Sequence, residues 1–273
     1  MFKHNFYTFN LKKLRNWKYL YILVLVAAAL FNIRPAAEMV FATYARSIHL
    51  AGGQNQRMLP IYSVDIPDQR MSISFDAAWG ADDTGNLLQI LANNNVRATF
   101  FLCGYWVDKY PEEVKMIHAA GHDIGNHGNT HAHGAQLNLE QNKAEIQGVH
   151  DKVRNLLGIE MNLFRPPYGE YNNTVISAAD ALGYFTIQWD VDSHDWMNRG
   201  PEYQINRVLN NKNLQNGSIV LFHNGAKYTP QTLEVTIRGL QTKGFELVPI
   251  SELIHTENFY MDHTGRQKLK PGS

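Results

Sequence analysis

From Leu59 to Ile250 the chain keeps exchanging short apolar runs of strand length for amphipathic stretches of helix length, and this alternation restricts its fold more than any other feature. Leu59 to Val64 and Arg70 to Phe75 alternate in strand fashion around the turn signal Ile66-Pro67-Asp68. Asp83 to Asn94 sets Leu87, Leu88, Ile90 and Leu91 on one helical face, and Val96 to Phe101 follows as a strand. Glu112 to Ala120 repeats the helical pattern behind Pro111, a residue suited to a first helical turn. Leu139 to Leu157 is the longest helical segment, with Gly158 as its stop. Further helices are expected at Ser177 to Leu182, Gln204 to Asn211 and Gln231 to Lys243, and strands at Tyr184 to Trp189, Ser218 to Phe222 and Glu246 to Ile250. Such repetition argues for a parallel α/β sheet or barrel rather than a sandwich. A length of 273 residues fits one such barrel with appendages.

Polar chemistry is concentrated in five short segments, four of which follow β-rich apolar runs, where α/β folds place their active-site loops. They are Ser74-Phe75-Asp76-Ala77-Ala78-Trp79-Gly80, Gly125-Asn126-His127-Gly128-Asn129-Thr130-His131-Ala132-His133, Phe164-Arg165-Pro166-Pro167-Tyr168-Gly169, Trp189-Asp190-Val191-Asp192-Ser193-His194-Asp195-Trp196 and Val220-Leu221-Phe222-His223-Asn224. Two imidazoles four residues apart, His127 and His131, can face one metal ion. The residues between them are poor helix formers, which puts the pair on a loop. His133 is left outside the site, His118 and His122 read as surface or capping residues at a helix end, and His194 reads as exposed. Cys103, the only cysteine, closes the apolar run from Ala98 and reads as a buried core thiol.

Taken together, and in this order, the five segments resemble the NodB-type polysaccharide deacetylases, carbohydrate esterase family four, over roughly residues 70 to 255. The resemblance implies a distorted (β/α) barrel and the removal of acetyl groups from N-acetylated sugars of a cell-wall polymer, with peptidoglycan as the first choice, through hydrolysis of a non-peptide carbon–nitrogen bond. It also implies a divalent metal, zinc as the first choice, held by one Asp and two His. Mapped onto this chain, His127 and His131 become metal ligands, and Asp76 the base that takes a proton from the attacking water. Arg165 orients that base, the backbone N–H of Tyr168 helps bind the oxyanion, and His223 is the general acid. A carboxylate beside His223 favours its imidazolium; Asp192 is the first choice for that partner and Asp195 the second. Trp196 and Leu221 match positions that shape the pocket for the acetyl methyl, while Trp79 fits core and site equally.

The family's first motif reads Thr-Phe-Asp-Asp-Gly, with the second Asp on the metal; here that position is Ala77. A methyl group cannot ligate. The missing carboxylate is open to substitution by Asp82 or Asp83 on the following loop, Asp76 is open to serve as the ligand, and two histidines with water are a third arrangement. Two functions follow: a working deacetylase, or a catalytically impaired member that binds glycan or a cell-wall or sporulation partner. The spelling Phe-Asp-Ala-Ala-Trp-Gly resembles the sporulation-associated branch of the family.

Lys12, Lys13, Arg15 and Lys18 lead into an apolar stretch within residues 17–33, long enough to span a bilayer at the short end of the range. The basic flank stays inside, so the bulk of the chain is expected outside the cell membrane, single-pass and anchored; a cleaved signal with secretion is the alternative. Residues 1–16 are then a cytoplasmic basic segment, 17–33 anchor or signal, 34–57 a spacer, 58–255 the deacetylase-like domain and 256–273 a polar tail expected to be disordered. With 25 basic and 25 acidic residues the electrostatic footprint of a nucleic-acid binder is missing, and a neutral glycan polymer suits the balance.

Overall fold

The computed structural model describes residues 57–272. The segments 1–16 and 17–33, and all but the last residue of the spacer 34–57, lie outside the described residues. Among the described residues no helix is long and apolar enough to cross a membrane.

Strand β1 (Ser63–Val64) precedes the central strand β2 (Arg70–Ala77). Helix α1 (Thr84–Asn93) leads to β3 (Thr99–Leu102), and α2 (Gly104–Lys109) and α3 (Pro111–Ala119) lead to β4 (Asp123–Asn126). Then come α4 (Leu139–Leu157), β5 (Leu163–Phe164), α5 (Asn173–Ala181), β6 (Phe185–Thr186) and β7 (Val191–Asp192). The last βα repeats are α6 (Pro201–Leu209), β8 (Ile219–His223), α7 (Thr229–Thr242), β9 (Glu246–Leu247) and α8 (Ile250–Leu253). The main sheet is parallel throughout in the order β6-β5-β4-β3-β2-β8-β7, with β9 also pairing with β2. It is a half-barrel: β6 and β7 end the order, and the entering chain touches both sides of the opening through Ile61 opposite Ile187 and Ser63 opposite Ser218.

Burial on both faces explains why the strands are continuously apolar. Neighbouring residues of one strand enter different clusters: Phe100, Phe164 and Val220 pack with the helices, whereas Phe101, Leu163 and Ile219 pack with Ile61, Val64 and Ile187 inside the curl. Local signals also agree at α4, where Asn138 and Gln141 exchange bonds as a capping box and Gly158 ends the helix at φ +72°, a left-handed turn that glycine adopts without strain.

Three expectations change. The strand read over Glu246 to Ile250 stops at Leu247, because Pro249 instead caps α8. The short helix α2 was not legible; it needs Gly104, where a Cβ would come within 2.9 Å of the Asn129 Cα. The tail 256–273 is not disordered over its described residues. Strands β10 (Phe259–Met261) and β11 (Arg266–Leu269) form an antiparallel pair, and β11 lies parallel to β1, so the folded unit runs from Arg57 past residue 255. The tail lacked a legible alternation because within β10 and β11 only Gln267 is fully buried, with Phe259 and Met261 partly buried against the inner cluster.

Candidate active site

Parallel strands bring their C-terminal ends to one side, and register fixes which side chains meet there. Asp76 of β2 is paired with His223 of β8 and with Phe101 of β3, while Asn126 pairs with both Leu102 and Phe164, so that His127 and Arg165 emerge next to one another. Arg165 is fully buried over the ring of Phe101, its guanidinium carbon 4.1 Å from the centroid. It donates from Nη1 to Asp76 Oδ1 at 2.8 Å and from Nη2 to Ser74 Oγ at 2.9 Å and the Gln188 carbonyl at 3.2 Å. Burial opposes ionisation of Asp76, but the Arg165 guanidinium, with His127 and His223, outweighs it and holds the carboxyl below the usual range.

The histidine loop is anchored from three sides. Gly104 and Tyr105 donate backbone N–H groups to the carbonyls of Gly128 and Asn129, and Glu145 accepts from both the N–H and the hydroxyl of Thr130 at 2.8 and 2.9 Å. His127 Nδ1 lies 2.7 Å from the Arg165 carbonyl, an atom that can only accept, so Nδ1 carries the proton and Nε2 keeps its lone pair toward the site. That Nε2 is 3.5 Å from Asp76 Oδ2. Burial lowers the proton affinity of both histidines, His131 to about 4, where the nearby His127 adds to the effect. His131 sits at φ +56° and Tyr168 at φ +61°, left-handed conformations that cost a non-glycine residue about 1–3 kcal/mol. The Tyr168 ring packs edge-on to His131 and flat on His133, which pairs with Glu170 at the surface.

The carboxylate that bonds His223 is Asp195, not Asp192. His223 Nδ1 is 2.7 Å from Asp195 Oδ1, and the His223 N–H and Thr229 hydroxyl bond the other oxygen at 2.7 and 2.8 Å. Asp192 sits opposite Leu221, two residues short of His223, and accepts instead from Trp189 Nε1 and the His194 N–H. The chain then turns back through a left-handed His194 and one 3-10 turn, carrying Asp195 under the imidazole. Burial disfavours the His223 imidazolium, yet the hydrogen bond and charge of Asp195 win and raise its proton affinity.

Trp79 is half exposed and stacks on the His223 ring at 5.0 Å and 19°, which places it in the site rather than the core. Trp196 is equally exposed, whereas Leu221, on the same face of β8 as His223, is only 2% exposed and floors the site from below. His118 is exposed and His194 half-buried against Tyr203. His122, read as a surface residue, is buried: its Nδ1 accepts from the Ala98 N–H at 3.1 Å, and burial lowers its proton affinity to about 4.

Neither proposed replacement for the missing carboxylate faces the histidines. Asp83 is taken by Asn224 Nδ2 and the Gly225 N–H at 2.7 and 2.9 Å, and Asp82 is exposed. Ala77 is fully buried. The group that does approach them is Cys103, whose sulfur lies with one nitrogen of each histidine in a cluster no wider than 4.8 Å. Sequence reading took this residue for core packing, and its place in an apolar run gave no signal to the contrary.

The polysaccharide deacetylase family model matches residues 63–187. A peptidoglycan-N-acetylglucosamine deacetylase of Bacillus cereus is 33% identical over 189 residues, covering 67% of this chain and 87% of that protein. The chain belongs to the polysaccharide deacetylase family. Another polysaccharide deacetylase, peptidoglycan-N-acetylglucosamine deacetylase PgdA of Listeria monocytogenes, is 31% identical over 232 residues, 81% of this chain; the chain spans about half, 48%, of the length of that relative. A solved structure of wild-type BA3943, described as a CE4 family pseudoenzyme from Bacillus anthracis, superposes with a TM-score of 0.69 at 30% identity, over 72% of this chain and 69% of that one. A BA3943 mutant described as having restored enzymatic activity superposes equally well.

A divalent metal is what this family implies. Two neutral imidazoles and a buried thiol offer the nitrogen and sulfur donors that a borderline cation such as zinc takes, so the donor set fits even with Ala77 contributing nothing.

Proposed function

We propose that the chain is a metal-assisted N-deacetylase of N-acetylated cell-wall glycan, with peptidoglycan as its substrate. The observation that carries this reading is the pairing of two opposed proton-transfer groups: Asp76, whose ionised form Arg165 favours, and His223, whose protonated form Asp195 favours. His127 and His131, with Cys103 beside them, would hold the cation; when bound it supplies Lewis-acid polarisation of the acetamide oxygen and of water. Asp76 accepts a proton as the water oxygen bonds the acetyl carbon. The Tyr168 N–H stabilises the negative oxygen that develops. His223 gives its proton to the sugar nitrogen as the carbon–nitrogen bond breaks, and acetate and a free amine leave. The exposed faces of Trp79, Tyr168 and Trp196 offer aromatic surface around the site on which sugar rings can rest. The names of the B. cereus and L. monocytogenes relatives support peptidoglycan, and Phe-Asp-Ala-Ala-Trp-Gly supports a sporulation role.

Acetate release from N-acetylglucosamine oligomers and from peptidoglycan by the zinc-supplied protein tests the reading. Ala77 and the likeness to the B. anthracis pseudoenzyme favour a second one, an impaired member that binds glycan. Glycan retention with no acetate under any metal would select it.

The same proposal places the protein in the cell membrane, held by residues 17–33 with its domain outside the cytoplasm; the basic flank from Lys12 to Lys18 supports this orientation. The full chain should fractionate with membranes, and external protease should reach the domain. A soluble product beginning between Ala36 and Ala42 would establish a cleaved signal instead.

A further inference from the structure

Position 77 lacks a ligand, but the residue after its partner across the strand pair, Cys103, carries a thiol. The Cys103 N–H donates to the Ala77 carbonyl at 3.1 Å, which sets residue 103 just past the end of β3 and alongside the position that the family's first motif fills with aspartate. We infer that Cys103 is the third protein ligand of a Cys-His-His divalent-cation site, standing in for the missing carboxylate; the inference rests on the metal-assisted reading above.

The geometry carries this; burial and the Asp76 charge oppose a free thiolate at Cys103, and a bound cation supplies the charge that reverses them. The sulfur and one nitrogen each of His127 and His131 lie within 4.8 Å of one another. Tetrahedral zinc, with bonds of about 2.3 Å to sulfur and about 2.0–2.1 Å to nitrogen, sets its donors roughly 3.3–3.7 Å apart. The three groups therefore need to draw in by no more than about 1.5 Å, within reach of side-chain rotation. His127 is already oriented for the task, because its Nδ1–H is held by the Arg165 carbonyl and its Nε2 lone pair is left over. Three protein ligands leave the fourth position open, the arrangement of catalytic rather than structural sites.

On binding, the thiol S–H bond breaks, its proton leaves to solvent and the sulfur bonds the cation. The thiolate and the Asp76 carboxylate then balance the two positive charges, while Arg165 retains its bond to Asp76. Exchange of a hard carboxylate for a soft thiolate also changes the preferred ion: zinc and cobalt over magnesium and manganese.

Cobalt titration of the full-length protein tests this. One equivalent should develop the intense near-ultraviolet charge-transfer band of a thiolate on cobalt, and the band should vanish in Cys103→Ala, whose zinc affinity should fall by at least about 100-fold. The double variant Ala77→Asp/Cys103→Ala should recover metal binding without the band, which shows that loss in the single variant is not misfolding. Cobalt bound without the band, unchanged zinc affinity in Cys103→Ala, or no metal in the native protein would each overturn the assignment. A thiolate band without acetate release would leave Cys103 as a ligand while sinking the deacetylase reading, and acetate release from a bandless cobalt protein would do the reverse.

Discussion

Asp76 and His223 occupy paired positions on adjacent parallel strands, and each is gripped from behind by an opposite charge: Arg165 at 2.8 Å on one, Asp195 at 2.7 Å on the other. The two grips push proton affinity in opposite directions, downward at the carboxylate and upward at the imidazole. The arrangement favours a carboxylate and an imidazolium side by side on one face of one sheet, the pair that the proposed base and acid require.

If these groups carry the proton transfers, Asp76→Asn and His223→Ala should each lower acetate release by about 10²–10⁴ while leaving glycan binding nearly intact. Steady-state kinetics with N-acetylglucosamine oligomers reads this directly, and near-normal turnover in either variant refutes the assignment.

Asp195→Asn should move the alkaline limb of the rate profile to lower pH. The imidazolium is the working form of the acid, and Asp195 raises its proton affinity; a neutral amide removes that charge, so His223 loses its proton earlier as pH rises. Asp192→Asn, whose carboxylate bonds Trp189 and His194 and acts on His223 only through a weaker charge effect, should move the limb less. The opposite ranking of the two variants would return the role to Asp192.

Arg165→Met should destabilise the fold by about 3–5 kcal/mol, because it strands a buried carboxylate without its partner. Urea denaturation measures the change. Much of the loss should return in Asp76→Asn/Arg165→Met, where no charge is left unpaired; equal losses in single and double variants would mean that the packing of Arg165 over Phe101 dominates instead.

Ala77→Asp should raise zinc affinity by at least about tenfold, the scale that changes around the ligands already produce, and should raise acetate release with it. Isothermal titration beside the rate assay checks both. Tighter metal without faster turnover would mean that the native ligand set is not what limits the reaction.

What the sequence disclosed follows from what is local in it. Asp76, Arg165 and His223 end or follow apolar runs that announce a parallel sheet, which placed them at strand ends, but that they meet was legible only through the resemblance of the five segments to the family. The choice between Asp192 and Asp195 was not, since it depends on a left-handed His194 and a single 3-10 turn that no periodicity encodes. Cys103 was hidden for a different reason: a sulfur inside an apolar run reads as core until the third dimension sets two imidazoles beside it. The terminal hairpin escaped because β10 is only three residues long, β11 is polar, and the pair borrows its order from β1.

That hairpin bears on how the chain reaches its native state. Arg266 bonds Asp65 across a separation of 201 residues, and Ser63 and Val64 pair with Arg266 and Gln267. A contact so distant in sequence forms against nearly the full loop-closure entropy of the domain, and chains dominated by such contacts fold slowly. The strand that enters the half-barrel therefore acquires its last neighbours only when the C-terminal segment arrives, and until then its edge remains open to the wrong partner.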